Sequence, residues 1–195
     1  MELILNETIY QRVIQREVPL ARKWLWILTA DIKDMHVERP GGRFGPFLEV
    51  LSGLVDSGVE VRLVHAKEPG PRFREDFDRF PGLRESDRFE RILCPRMHMK
   101  IILIDGESAY IGSANLTGAW MGAKGVDRRN FEAGIFTRDP GTIGELMEFL
   151  DEFWTGGFCA RCRYRDRCPD PIVWAASVRP CMAKPQGRNS PSCGA

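Results

Sequence analysis

Apolar positions along the chain recur at spacings that separate helices from strands. After Asn6, the series Ile9, Val13, Val18 and Leu20 marks a first helix, which leads into the strongly apolar strand Trp24 to Ala30. A polar, glycine-containing stretch runs from Asp31 to Arg43. Pro46 then stands near the start of a helix with Phe47, Leu51, Leu54 and Val55 on one face, and Gly58 closes it before a strand from Val59 to Val64. Strand, helix and strand in this order form a βαβ unit. Its default is parallel pairing with a right-handed crossover, so the chain reads as α/β around a buried central sheet. Residues Lys67 to Arg88 are rich in proline and charge and read as a loop carrying one short helix, Phe73 to Phe80, placed to rim a site. The apolar run Met97 to Ile104, the turn Asp105-Gly106 and the return strand Ser108 to Gly112 make a hairpin, and Phe131 to Thr137 extends the same sheet. Gly141 to Trp154 is an amphipathic helix that turns Ile143, Leu146, Met147, Leu150 and Phe153 inward.

The hairpin carries the chemistry. Residues i and i+2 of a strand share a face, so His98 and Lys100 project together, and the return strand delivers Ser113 and Asn115 to the same end. The whole pattern is H-x-K-x4-D-x6-G-S-x-N. An imidazole nucleophile, an ammonium and neutral donors are the parts that phosphoryl transfer needs, since the protein must chiefly position the reactants and stabilise charge on the equatorial oxygens. No metal is required for this. A carboxylate on the far nitrogen of His98 fixes its tautomer and supports the imidazolium, and Glu132 and Asp105 are both candidates. Each piece alone has an ordinary structural reading: a satisfied strand histidine, a common Asp-Gly turn, a loop of small polar residues. Together, at this spacing and in a strand-turn-strand context, the catalytic reading outweighs it. His36 and His65 read as structural or solvated.

This set resembles the HKD motif of the phospholipase D superfamily, and the match includes the downstream Gly112-Ser113-Ala114-Asn115. More loosely it extends over most of residues 1–155, through Trp24 to Ala30, Phe44 to Ser57 and Gly58 to His65. The resemblance implies a phospholipase D-like α/β/α sandwich with a mixed, largely parallel central sheet. It implies His98 as the nucleophile that forms a phosphohistidine, Lys100 and Asn115 on the non-bridging oxygens, Glu132 against the histidine, and Asp105 holding the strand-turn geometry. The family's chemistry needs two histidines, one to attack and one to protonate the leaving oxygen, whereas this chain has one motif. Similarity to small single-motif members, several of them nucleases, therefore implies a homodimer whose sites meet across the twofold axis. The expected activity is that of a phosphodiesterase acting on nucleic acid. Alternatives are a phospholipase or transphosphatidylase acting on phospholipid, and a catalytically silent nucleic-acid-binding module.

Composition bounds these readings. A chain of 195 residues with 43% hydrophobic positions suits one main domain. The net charge of +1 removes any global electrostatic case for a polyanion, so a basic surface must be local. Lys124, Arg128 and Arg129 form one cluster; Arg161, Arg163, Arg165 and Arg167 form another, and both are offset by Asp127, Asp166 and Asp170, as a merely solvated face is. No basic stretch precedes an apolar run at the N-terminus and no run reaches membrane-spanning length, which implies a cytoplasmic protein without a transmembrane segment.

Five of the six cysteines follow residue 158. In a cytoplasmic chain such clustering argues for metal ligation over disulfides. Cys159, Cys162 and Cys168, with Cys181 as the fourth ligand, suit a structural zinc or an iron–sulfur cluster; Cys94 and Cys193 compete for the fourth place. The C-x2-C-x5-C spacing and the neighbouring RYRDRC resemble the C-terminal staple of iron–sulfur nucleases related to CRISPR-associated exonucleases, over those residues only. The expected organisation is a catalytic domain over 1–155, a cysteine-rich metal-binding module over 156–182 and a flexible tail over 183–195.

Overall fold

In a computed structural model of the chain, residues 1–172 are described apart from Asp34, Pro40 and residues 118–129. The expectations placed on Lys124, Asp127, Arg128, Arg129, Cys181, Cys193 and the tail lie outside the described residues.

The chain opens with strand β1 (Glu2–Leu5) and helix α1 (Glu7–Ile9), which continues as a π-helical segment, Tyr10–Glu17, into a 3-10 turn, Val18–Leu20. Strand β2 (Trp24–Thr29) follows, then a hairpin of β3 (His36–Arg39) and β4 (Arg43–Pro46), helix α2 (Phe47–Asp56) and β5 (Glu60–His65). Pro81 divides the next helical region into α3 (Pro71–Asp78) and α4 (Pro81–Glu85), because a proline ring and its missing N–H end a helix. Then come β6 (Phe89–Leu93), β7 (Ile101–Ile104), β8 (Ser108–Gly112), β9 (Ala133–Thr137) and α5 (Pro140–Trp154).

Seven strands form one mixed sheet in the order β1-β9-β8-β7-β2-β5-β6. The parallel pairings are β2–β5 and β5–β6; the four pairings toward β1 are antiparallel, so the parallel part is the smaller one. The tight Asp105-Gly106 turn accounts for part of this, since a short hairpin joins only antiparallel strands. Both faces are covered. On one, Leu25, Ile27, Val61, Leu63 and Tyr110 pack with Ile9, Val13, Leu51 and Val55; on the other, Trp26, Leu28, Val64 and Leu103 pack with Ile143, Leu150 and Phe153 of α5. The result is the α/β/α sandwich. Helix α5 starts cleanly because the Asp139 side chain accepts from Thr142 N at 2.9 Å and Pro140 stands at its first position. A helix of 15 residues is marginal alone. Its three buried side chains, at about 1.5–3 kcal/mol each, hold it on the sheet.

His65 ends β5 with none of its surface exposed; Nδ1 lies 2.8 Å from Lys67 O, and Nε2 is buried without a hydrogen-bond partner. Burial lowers its pKa from the ordinary 6.5, because a charged ring would be desolvated. The unfolded chain then binds the proton more readily than the native one. Stability is therefore complete above the unfolded value and falls as pH drops through the native one. Urea midpoints measured between about pH 8 and pH 5 should fall for the wild type and fall less steeply for His65→Asn; equal slopes would show that His65 is not the titrating group.

Candidate active site

Register brings the predicted residues to one end of the sheet. Strand β7 runs antiparallel to both β2 and β8, with Ile101 opposite Leu28 on one side and Ile111 on the other. The residues just before β7, just after β8 and just after β2 consequently share an edge, together with the ends of β5 and β6 and the start of β9. Ligands in open α/β sheets commonly sit at such carboxyl ends. His98 and Lys100 stand in an extended segment ahead of the strand, not within it, and His98 is exposed. Lys100 Nζ lies 3.3 Å from His98 Nδ1 and donates to His98 O at 2.8 Å, while Gly112 N donates to Lys100 O at 3.0 Å. Nucleophile candidate and ammonium are thus adjacent, and the hairpin's first backbone bond fixes their carrier.

Asn115 is held by the end of β2. Its Oδ1 accepts from Ala30 N and Asp31 N, each at 3.2 Å, and lies 3.4 Å from Thr29 Oγ1. With the carbonyl oxygen so engaged the amide plane is fixed, and its NH2 group points to the opposite side. Thr29, which sequence reasoning passed over, also donates to Asp31 O at 2.8 Å and accepts from Leu116 N at 3.2 Å, and it is buried.

Ser113 and Glu132 form a second pair. Ser113 Oγ donates to Glu132 Oε2 in a very short hydrogen bond, Ala133 N donates to Ser113 Oγ at 3.1 Å, and Asn130 Nδ2 donates to Glu132 Oε1 at 3.5 Å. Among the described residues the Glu132 carboxylate is hydrogen-bonded by Ser113 and Asn130, not by His98. Beneath them Tyr110 lies across the strand pair, and a Cβ at Gly112 or Gly134 would collide with its ring. These two glycines face each other in register, so no side chain is admissible there while Tyr110 fills the space. Burial pushes the Tyr110 hydroxyl up to about 12; the hydrogen bond with the Ala114 backbone opposes this and the Glu132 carboxylate adds to it.

Asp105 is not with the others. It sits in the hairpin turn at the far end of β7, separated from His98 by roughly 20 Å of extended chain at ~3.3 Å per residue. There its carboxylate accepts from Arg22 N at 2.9 Å, Lys23 N at 2.8 Å and Trp24 N at 2.9 Å, and Asp105 N donates to Trp24 O at 3.0 Å. Asp105 adopts φ 54 and Gly106 φ 69, the left-handed pair of a hairpin turn that aspartate and glycine tolerate. Of the two carboxylates proposed to orient His98, this one serves the strand-turn geometry instead.

Around His98 the surface forms an open cleft of about 840 Å³, lined by Ala30, Asp31, Ala66, Lys67, Pro95, Arg96, Met97, His98, Asn115, Arg161, Arg163 and Tyr164. Among the described residues four cations line it against one carboxylate, Asp31, which pairs with Lys33 at 3.4 Å. Residues 155–172 supply the arginine wall as a run of turns with a single 3-10 helix, Arg165–Arg167. They pack on the body through Phe158 against Phe149, with ring centroids 5.1 Å apart, and through Leu93 N, which donates to Asp170 Oδ2 at 2.7 Å. A second, more apolar cavity of about 270 Å³ adjoins His98 from behind; Cys94, Cys159, Cys162 and Cys168 all line it. None of the four is in a disulfide. As placed, no three His, Cys, Asp or Glu side chains among the described residues are close enough to hold an ion. Burial raises the Cys94 thiol; a backbone N–H at Tyr164 and the Arg96 guanidinium lower that of Cys162.

Residues 18–154 match the family described as cardiolipin synthase, PLD-like domain. This chain belongs to the phospholipase D superfamily. The match extends over most of the chain, and it contains every residue of the HKD pattern. A cardiolipin synthase from Geobacillus kaustophilus is 30% identical over 141 residues, which is 65% of this chain and 25% of that protein; the chain spans about a quarter of its curated relative. Among solved structures, the phospholipase D family member Nuc from Salmonella typhimurium superposes with a TM-score of 0.54 at 14% identity, covering 78% of this chain and 93% of that one. NucT from Helicobacter pylori gives 0.51 at 15%, covering 77% and 94%. These likenesses show the shared fold.

The separation of roles within the HKD set has a direct thermodynamic test. Asp105→Ala should lower unfolding free energy by about 2–3 kcal/mol, since three backbone donors lose a charged acceptor, and Asp105→Asn by less. Exposed His98→Ala should stay within about 0.5 kcal/mol of wild type. Equal losses for Asp105→Ala and His98→Ala in urea titrations would remove Asp105 from its structural role.

Proposed function

We propose that this chain is a phosphodiesterase that cleaves nucleic acid through a phosphohistidine and works as a homodimer. The observation that carries the nucleic-acid reading is the cleft wall: Lys67, Arg96, Arg161 and Arg163 beside His98 and Asn115. A polynucleotide presents a phosphate at every residue and suits several cations along one groove, whereas a lipid presents a compact headgroup. Tyr164 in the same wall, with Arg163 4.8 Å and Arg167 4.9 Å from its ring, adds a surface for base stacking.

In this reading neutral His98 attacks phosphorus, the bond from phosphorus to the leaving oxygen breaks, and Lys100 with the Asn115 NH2 stabilises the equatorial oxygens. His98 of the partner subunit gives the leaving oxygen its proton. It then takes a proton from water, which attacks the phosphohistidine and frees His98. These side chains form a complete nucleophile and charge-stabilising set, so turnover is expected to persist in chelator. Ser113 and Glu132 act by holding the Gly112–Asn115 loop against β9. A second copy is supported by an apolar patch at the β1–β9 edge, where Leu3 is 65% and Leu5 49% exposed, and by Phe131, 95% exposed beside Glu132. No helix among the described residues is long and apolar enough to cross a membrane, in keeping with a cytoplasmic enzyme.

The second reading is a lipid phosphodiesterase or transphosphatidylase. It is favoured by the name of the Geobacillus relative and by the apolar cavity behind His98, where Met97, Phe149 and Phe153 meet.

Turnover of bis-p-nitrophenyl phosphate, of labelled single- and double-stranded DNA and RNA, and of phosphatidylcholine vesicles should separate these readings. His98→Asn should abolish activity and Lys100→Ala should reduce it on the order of hundred-fold. Arg161→Ala with Arg163→Ala should raise KM on nucleic acid on the order of ten-fold and leave the small diester's kcat unchanged. Hydrolysis of vesicles with nucleic acids untouched would select the lipid reading; full activity in His98→Asn would end both.

Oligomeric state gives an independent check. Light scattering should find a dimer, and specific activity should fall on dilution below its dissociation constant. A monomer with constant specific activity would exclude a shared site.

A further inference from the structure

We propose that Cys94, Cys159, Cys162 and Cys168 form a four-thiolate zinc site that clamps the arginine wall of the cleft to the strand edge beside His98. The site differs from the one the cysteine spacing alone suggests, because its fourth ligand comes from the end of β6 and not from Cys181.

Three observations point there independently. The first is convergence: all four described cysteines line one cavity of about 270 Å³, although Cys94 is far from the others in sequence. Cys94 is placed by the sheet, since its N–H donates to His65 O at 2.8 Å as β6 ends alongside β5. The second is the local turn: Cys162 N donates to Cys159 O at 3.2 Å and Cys159 N to Gly156 O at 2.9 Å, so the C-x2-C pair is folded on itself in the compact form of a metal knuckle. The third is charge. Zinc with four thiolates is a dianion, and Arg96 already donates to Cys162 Sγ at 3.7 Å while Arg161, Arg163 and Arg165 interleave with the thiols. Binding releases one proton from each thiol as its Zn–S bond forms, which leaves that negative charge for the arginines to balance.

The same segment also needs a staple. Residues 155–172 contain no strand and only one 3-10 turn, and such a segment buries too little to hold itself in place. As they stand the thiols line the cavity walls instead of meeting at a point. Closure on an ion near 2.3 Å per Zn–S bond takes rotation of side chains and tightening of turns, and between Cys159 and Cys168 the only regular structure is the single 3-10 turn Arg165–Arg167. The ion's role is positioning: all four ligand places are thiolates, which leaves no open place for substrate, so its effect on turnover passes through Arg161 and Arg163.

The decisive measurements read metal, not activity, and are therefore independent of the substrate assignment. Full-length protein purified without chelator should hold about one zinc per chain. After zinc is removed anaerobically, cobalt(II) should give the visible bands of a tetrahedral thiolate site. Cys94→Ser and Cys162→Ser should each cut zinc content several-fold, whereas Cys181→Ser and Cys193→Ser should leave it unchanged. Should a serine variant fail to fold, alkylation of the wild type with mass-spectrometric mapping serves instead. Cys94, Cys159, Cys162 and Cys168 should be protected together until zinc is removed, while Cys181 reacts throughout. No metal in the wild type, iron in place of zinc, or protection of Cys181 with Cys94 reactive would each overturn the proposal.

Discussion

A single carboxylate sets the frame on which the site depends. Asp105 collects three consecutive backbone N–H groups from Arg22, Lys23 and Trp24, and in doing so fixes where β2 begins relative to the β7–β8 hairpin. A slip of one residue in that pairing would turn Trp26 and Leu28 to the wrong face and move Ala30 and Asp31 away from Asn115. The residue therefore earns its place in the motif at a distance, by governing register at one end of a strand so that polar groups meet at the other.

How much of this was legible follows from burial. Strand β2 is apolar on both faces, β5 carries Val61, Leu63 and Val64 after Gly58, helix α2 and helix α5 show a clean apolar stripe, and the Asp-Gly turn announces β7 and β8; each could be read directly. Strand β1 buries only Ile4 among its four residues, and β6 exposes Glu90 and Arg91, so neither shows the alternation of a half-buried strand. The β3–β4 hairpin is polar and lies outside the main sheet, and its residues read as loop. His98 and Lys100 were found by spacing although they precede the strand expected to hold them. Glu132 was found by position, but its bond to Ser113 was not, because the approach of β9 to the end of β8 is a fact of pairing that no local pattern records. Gly112 and Gly134 were the available clue to a large side chain lying between them.

Two kinds of structure meet at the cleft. His98, Lys100 and Asn115 belong to a sheet edge tied by hydrogen bonds to the backbone. Arg161, Arg163 and Tyr164 belong to a run of turns outside the sheet, packed against its edge.

The loop that carries Glu132 is fastened to the beginning of the chain: Asn6 N donates to Glu132 O and Glu132 N donates to Asn6 Oδ1, both at 2.9 Å, next to the β1–β9 pairing. His98, Lys100, Ser113 and Asn115 all lie between those two residues. Local helices and the β7–β8 hairpin can form early, but this clasp closes a very long loop, and contacts so remote in sequence are the slow ones to form. During synthesis the first strand has no partner until β9 has emerged. Its Leu3 and Leu5 edge is then an open template for other strands, a hazard of timing that chaperone binding or a brief translational pause would relieve.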